Sequence, residues 1–111
     1  EMRNGLEEIT EKTGLKYEIS QILYLPPIIF DKKCISAVRQ SAKLQGYTAR
    51  EIVSGAGHDA CNIASVASSS MIFIPCIDGI SHNEVEDAKP EWISAGGQVL
   101  LGAVLEMAGV C

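Results

Sequence analysis

The sequence predicts an α/β fold in which helices cover a mainly parallel sheet, preceded by the end of another domain. From residue 31 onward, helix-like and strand-like patterns alternate along the chain, which is typical of α/β layers. One helix and one strand come before this alternation. Pro26 and Pro27 then interrupt the chain, because proline cannot donate to a strand ladder. We therefore predict that residues 1–25 end one domain and that residues 26–111 belong to the next.

The part before the prolines has two patterns. Apolar side chains recur at helical spacing over residues 3–12. Gly14 follows at the place where a left-handed residue ends many helices. Residues 17–23 then alternate between apolar and polar side chains, which indicates a half-buried strand.

The part after the prolines has five predicted elements. Asp31 is a good helix N-cap, and Gly46 is placed to end the helix that follows it. The uniformly apolar residues 71–74 are typical of a strand buried on both faces. Proline is favoured in the first turn of a helix, so Pro90 marks the start of the last helix. In order, the predictions are a helix between Asp31 and Gly46, a strand at 51–53, a helix from 58 to about 67, a strand at 71–74 and a helix from 90 to about 108.

Composition narrows the class of protein. The chain has 111 residues, of which 47% are hydrophobic and 21% charged, as in a packed globular domain. Its net charge is -5, and the chain lacks the cluster of basic residues that nucleic-acid binding requires. Neither a membrane-spanning run nor a signal peptide is visible, so we expect a cytoplasmic protein that does not bind membranes. Residue 1 is not methionine, which a cut from a longer polypeptide, processing of the N-terminus or residues missing before it would each explain.

Four widely spaced cysteines are predicted to be reduced, buried thiols rather than a disulfide framework or a zinc ribbon. The chain has enough aliphatic residues to build a core without disulfides, and no C-x-x-C pair is present. They are Cys34, Cys61, Cys76 and Cys111.

Both histidines follow predicted strands, where α/β proteins bind their ligands. His58 comes directly after the glycine-containing loop of residues 54–57, whose backbone allows a ligand to approach closely. His82 lies in the loop after the second strand of this part. We therefore predict that the two imidazoles converge on one pocket.

Residue types alone give weaker support for a serine nucleophile, a cysteine nucleophile or a metal site. Ser54 and Ser81 are possible nucleophiles beside the histidines, but neither lies in a G-x-S-x-G elbow. Cys76 is a candidate thiol nucleophile, although its place at a strand end is more typical of a core cysteine. Catalytic zinc needs about three protein ligands, so a metal is possible but not demanded. The acidic run that follows His82 is more typical of a solvated face; it comprises Glu84, Glu86 and Asp87.

Three strings, in order, closely resemble motifs of the hydantoinase/carbamoylase family of amidohydrolases. They are Ser54 to Ala60 (SGAGHDA), Met71 to Cys76 (MIFIPC) and Asp78 to Glu86 (DGISHNEVE). The family includes N-carbamoyl-L-amino-acid hydrolases, β-ureidopropionases and allantoate amidohydrolases. The resemblance extends over essentially the whole chain and is strongest over residues 46–105.

The resemblance implies a more specific architecture. Residues 1–25 would be the last helix and strand of an α+β lid and dimerisation domain, and residues 26–111 the C-terminal part of a zinc-exopeptidase-like catalytic domain. A homodimer is implied. The missing N-terminal part of the catalytic domain would be an obligatory partner of this segment.

The resemblance also implies roles for three residues. His82 would ligate one of two divalent metal ions, which could be zinc, manganese, cobalt or nickel. His58 would contact the small-molecule substrate and stabilise the tetrahedral intermediate, and the backbone of Gly57 would help to hold the substrate carboxylate. This segment would supply at most one metal ligand.

The implied function is hydrolysis of the C–N bond of N-carbamoyl amino acids, or of allantoate or ureidopropionate. The general-base glutamate and the other metal ligands would lie upstream, so the segment alone is expected to be inactive. Two alternatives stay open: a non-catalytic binding or dimerisation fragment, and a related aminoacylase or dipeptidase.

Overall fold

A computed structural model of the chain describes residues 2–109. It contains four α-helices and one short 3-10 turn within those residues: α1 (Met2–Thr13), α2 (Lys32–Leu44), α3 (Asp59–Ile63), the turn Ile77–Gly79 and α4 (Pro90–Met107). The radius of gyration over Cα atoms is 20.2 Å, whereas a compact domain of this length would have about 13 Å. The described chain is therefore much more open than an independent domain.

Three predicted helices are confirmed, with the signals that predicted their ends. The carboxylate of Asp31 accepts hydrogen bonds from the backbone N–H groups of Lys33 and Cys34, at 2.8 and 3.0 Å, and so caps α2. Gly14 and Gly46 follow α1 and α2 with φ values of +70° and +76°, in the left-handed region that favours glycine. Pro90 occupies the first turn of α4.

The core lies where α2 and α4 pack against each other in antiparallel directions. Its buried apolar side chains are small, and they are Ala37, Ala42, Val99 and Ala103. The buried hydroxyl of Ser41 donates to the carbonyl of Val99 at 2.9 Å, and Gln45 donates to the carbonyl of Gln98 at 2.8 Å. Small residues and side-chain-to-backbone hydrogen bonds thus let the two helices approach closely.

The predicted strands are wrong as hydrogen-bonded elements within residues 2–109. Residues 17–23, 51–53 and 71–74 belong to no ladder in this part of the chain. A strand makes its backbone hydrogen bonds to a neighbouring strand, whereas a helix makes them within itself. Residues that favour strands therefore have no partner with which to form a sheet here, and the α/β prediction is met only in its helices.

The helix predicted from His58 to about Ala67 is shorter than expected. α3 ends at Ile63, and the chain continues in tight turns, with the N–H of Val66 donating to the carbonyl of Ile63 at 2.9 Å. The hydroxyl of Ser65 donates to the carbonyl of Asn62 at 2.7 Å. Serine hydroxyls compete in this way with regular helical hydrogen bonds.

Two further predictions concern cysteines and membranes. Cys34, Cys61 and Cys76 carry free thiols, as predicted, but they are half-buried rather than buried. Cys111 lies outside the described residues. No helix among the described residues is long and apolar enough to cross a bilayer. The domain boundary at the prolines stays a prediction.

Candidate active site

The two histidines lie together in one cleft of about 510 Å³. Their ring centroids are 6.1 Å apart and the ring planes meet at 66°. Each ring is carried by the loop that follows an extended apolar segment, so the sequence correctly predicted that these loops converge. Ile72, Phe73 and Ile74 form the apolar side of the cleft.

His58 is held in place by one polar and one apolar neighbour. It is the N-cap residue of α3, and its Nε2 lies 2.7 Å from Oγ of Ser54. Its ring packs edge-to-face against Phe73, with centroids 5.4 Å apart. Such a contact fixes the plane of a half-buried ring while leaving the edge of the imidazole able to hydrogen bond.

His82 is exposed and lies on a strained backbone. Its φ of +57° is uncommon for a residue with a side chain. Its Nδ1 lies 3.0 Å from Oγ of Ser81, and Nε2 has no hydrogen-bond partner among residues 2–109. An imidazole with one ring nitrogen held and the other accessible has the form of a metal-ligating histidine.

Gly57 lies beside these histidines, and it is exposed. Its backbone N–H has no hydrogen-bond partner within residues 2–109, so it remains able to donate to a ligand. A Cβ built at this position would lie 3.7 Å from Cδ1 of Leu25. The segment just before the prolines therefore passes close to this loop.

Two members of the acidic run after His82 line the cleft, Glu86 and Asp87, but only Glu86 contacts the backbone of His82. The carboxylate of Glu86 accepts a hydrogen bond from the backbone N–H of His82, at 2.6 Å, and its other oxygen lies 3.8 Å from Sγ of Cys76. Asp87 instead accepts from the neighbouring backbone N–H of Ala88. Sequence reasoning had assigned the whole run to a solvated face and so missed Glu86. No local pattern distinguishes one acid of the run from another.

The environment of Cys76 is unfavourable for a nucleophilic thiolate. Partial burial raises the pKa of this thiol above its usual value, and the negative charge of Glu86 raises it further. A protonated thiol is a poor nucleophile. Cys76 therefore acts as a weak hydrogen-bond donor at the edge of the cleft.

The described residues do not form a complete metal site. Nowhere in residues 2–109 do three or more histidine, cysteine or acidic side chains come together so that they could hold a metal ion. The accessible Nε2 of His82 fits the role of a single ligand. A catalytic zinc would need about two further protein ligands, from outside this segment.

Comparison with known proteins shows the family to which the chain belongs. Residues 3–106 match the model of peptidase family M20/M25/M40. The chain belongs to this family.

Several individual relatives are named as amidohydrolases. They confirm the resemblance to the hydantoinase/carbamoylase group. The N-carbamoyl-L-amino-acid amidohydrolase of Rhizobium meliloti is 46% identical over 93% of this chain, which corresponds to 25% of the relative. The allantoate amidohydrolase of Bacillus subtilis is 28% identical over 86% of this chain and 23% of its own length.

Solved structures agree with these relatives. The crystal structure of a hydantoinase/carbamoylase family amidase from Burkholderia multivorans matches with a TM-score of 0.86 and 57% identity, covering 94% of this chain and 25% of that one. The chain thus spans about a quarter of the length of the relatives that it matches. The conformation of the chain is accordingly similar to that of the corresponding quarter of the Burkholderia multivorans amidase.

Proposed function

We propose that this chain supplies one wall of the active site of a metal-dependent amidohydrolase. The complete enzyme would cleave the C–N bond of an N-carbamoyl amino acid or of a related ureido compound such as allantoate. The observation that carries the proposal is the convergence of His58 and His82 in one cleft, with ring centroids 6.1 Å apart. The names of the amidohydrolase relatives support the reaction class.

His82 is the proposed metal ligand of the segment. Its exposed ring lines the cleft. The contact between its Nδ1 and Oγ of Ser81 would orient the ring so that Nε2 could bind the ion. When bound, two divalent ions would polarise the substrate carbonyl and lower the pKa of a bound water. Zinc, manganese, cobalt and nickel all remain candidates.

His58 is the proposed donor to the oxyanion that develops on the substrate. In the structure its Nε2 is in hydrogen-bond contact with an oxygen atom, Oγ of Ser54, at 2.7 Å. Donors that stabilise an oxyanion act at about this distance. The packing against Phe73 would keep the ring in position, so little reorganisation would be needed during the reaction.

Gly57 is the proposed contact for the substrate carboxylate. Its exposed backbone N–H is on the same loop as His58 and lacks a partner among the described residues. A substituted residue here would bring a side chain toward Leu25 and narrow the approach.

The segment would be inactive by itself. It offers one metal ligand, and the proposed general base and remaining ligands would come from the upstream part of the catalytic domain. We also propose that residues 1–25 end the lid and dimerisation domain and that the whole enzyme is a homodimer. An aminoacylase or dipeptidase activity is the alternative within the same chemistry.

The test uses the full-length protein that contains this chain. His82→Ala should lose bound metal by elemental analysis, together with activity on N-carbamoyl amino acids. His58→Ala should keep its metal and lose about 10²- to 10³-fold in kcat, as expected for one oxyanion donor. Unchanged metal content and turnover in His82→Ala would refute the proposal.

A serine hydrolase mechanism is the second candidate, because Ser54 lies within hydrogen-bond distance of His58. The two mechanisms differ in their response to chelation. If Ser54 were the nucleophile, Ser54→Ala would abolish activity and removal of metal by a chelator would not. The metal-dependent proposal expects the reverse, with most activity kept in Ser54→Ala and none after chelation.

A further inference from the structure

The loop that carries His82 has two residues with left-handed backbone conformation. Asp78 has a φ of 55° and His82 a φ of 57°. Side chains rarely adopt this region, and such conformations persist only where surrounding contacts hold them. The conformation at His82 determines which way its ring leaves the loop, so the contacts that hold it bear directly on the cleft.

One carboxylate connects both sides of this loop. Oε2 of Glu86 accepts the backbone N–H of His82 at 2.6 Å, and Oε1 lies 3.8 Å from Sγ of Cys76, at the beginning of the loop. A hydrogen bond to a charged acceptor is shorter and stronger than one to a neutral acceptor. The backbone adds a second closure, in which the N–H of Ile77 donates to the carbonyl of Asp87 at 2.8 Å.

We propose that Glu86 is a positioning residue whose carboxylate holds His82 in its left-handed conformation and thereby turns the imidazole toward His58 and the metal. Glu86 acts on the backbone of His82 and is not itself a ligand. The inference rests on the proposed function for its catalytic consequence. The hold of Glu86 on the loop is a separate, directly measurable property.

The geometry predicts a graded series of variants. Glu86→Ala removes both contacts, and Glu86→Asp shortens the side chain by one methylene, so a single carboxylate can no longer reach both partners. Glu86→Gln keeps the length and one acceptor oxygen for the N–H of His82. Glu84→Ala is the matched control, since Glu84 lies in the same acidic run but makes no hydrogen bond within residues 2–109.

The experiment has two readouts in the full-length protein. The first is hydrogen–deuterium exchange of the metal-free protein over residues 77–87, and the second is titration of the metal-free protein with zinc. We expect Glu86→Ala and Glu86→Asp to exchange faster in this loop and to bind zinc about 10- to 100-fold more weakly, as for other outer-shell partners. Glu86→Gln should recover most of both properties, and Glu84→Ala should match the wild type.

Wild-type exchange and wild-type zinc affinity in Glu86→Asp would overturn the inference, even if Glu86→Ala failed to fold. His82→Ala serves as the reference for the metal. If His82→Ala loses zinc and the Glu86 variants do not, the positioning role is wrong and the proposed function stands. If His82→Ala binds zinc normally, the proposed function fails, and the exchange data alone then decide whether Glu86 holds the loop.

Discussion

The helix pair and the extended segments of this chain differ in whether they find packing partners and backbone hydrogen bonds within the chain. α2 and α4 bury Ala37, Ala42, Val99 and Ala103 against each other and join through the Ser41 hydroxyl. The helices also expose apolar side chains, such as Leu101 at 60%, but the extended segments bury none among the described residues and leave several almost fully in solvent. Ile22 is 94% exposed, Ile29 is 90% exposed and Val53 is 98% exposed.

This difference shows which parts of the chain lack packing partners among residues 2–109. A helix satisfies its backbone internally and needs only one packed face. A strand needs neighbours on its edges and cover on its faces. The loops that carry His58 and His82 follow extended segments, so the two histidines lie in a part of the described chain that has no buried apolar side chain of its own.

The largest expected effect is on the solution behaviour of the isolated chain. Expressed alone, it should aggregate or form irregular oligomers, because exposed apolar segments and unpaired strand edges promote association. Hydrogen–deuterium exchange should be fast over residues 17–30, 51–57 and 71–76 in the isolated chain and strongly slowed in the full-length protein. Residues 32–44 and 90–107 are the internal control and should be the better protected part in both. A monomeric chain with a single cooperative melt would contradict this prediction.

The next effect tests the close packing of the helix pair. A Cβ added at Gly102 would collide with the side chain of Ser41, so Gly102→Ala should destabilise the chain by about 1 to 3 kcal/mol despite the better helix propensity of alanine. Gly97, in the same helix, has nothing within 4 Å of an added Cβ. Gly97→Ala should therefore stabilise by about 0.5 to 1 kcal/mol. Urea unfolding of the full-length protein, followed by circular dichroism, measures both.

A double variant sharpens the same test. Ser41→Ala removes the hydroxyl with which the new methyl group collides, so Ser41→Ala combined with Gly102→Ala should be less destabilised than the sum of the two single variants. Strict additivity of the two changes would show that their contact is not the cause.

The smallest expected effect is the pH dependence of the α2 cap. The hydrogen bond from the backbone N–H of Cys34 lowers the pKa of Asp31 below its ordinary value of 3.8. A lowered carboxyl pKa stabilises the folded state above the ordinary pKa, and that contribution is lost as the pH falls through the lowered one. The helicity of the wild type should therefore fall more than that of Asp31→Asn in this acidic range.

The two cap variants separate capping from titration. Asp31→Asn keeps an acceptor oxygen for the N-terminal N–H groups of α2, whereas Asp31→Ala removes it. Asp31→Ala should thus lower helicity at neutral pH, and Asp31→Asn should not. Acid transitions of equal size in the wild type and Asp31→Asn, recorded by circular dichroism, would exclude the carboxylate of Asp31 as their source.

Local signals in the sequence were enough to predict three of the four helices and to single out the two histidines. Asp31, Gly46 and Pro90 mark helix ends through interactions with their immediate neighbours, and these hold whatever surrounds the chain. The motif strings around His58 and His82 likewise predicted the hydantoinase/carbamoylase family, which the amidohydrolase relatives and the solved amidase structure confirm.

The tertiary structure alone decided the remaining features. The strand prediction at 71–74 was wrong within the described residues because pairing depends on partners distant in sequence or outside the chain. The 6.1 Å separation of the histidine rings and the contact of Glu86 with the N–H of His82 depend on how separate segments fold together. Sequence by itself therefore determined three of the four helices and the family, because caps and motifs are local. Only the three-dimensional arrangement distinguished Glu86 from its acidic neighbours, because that distinction depends on which backbone group each carboxylate reaches.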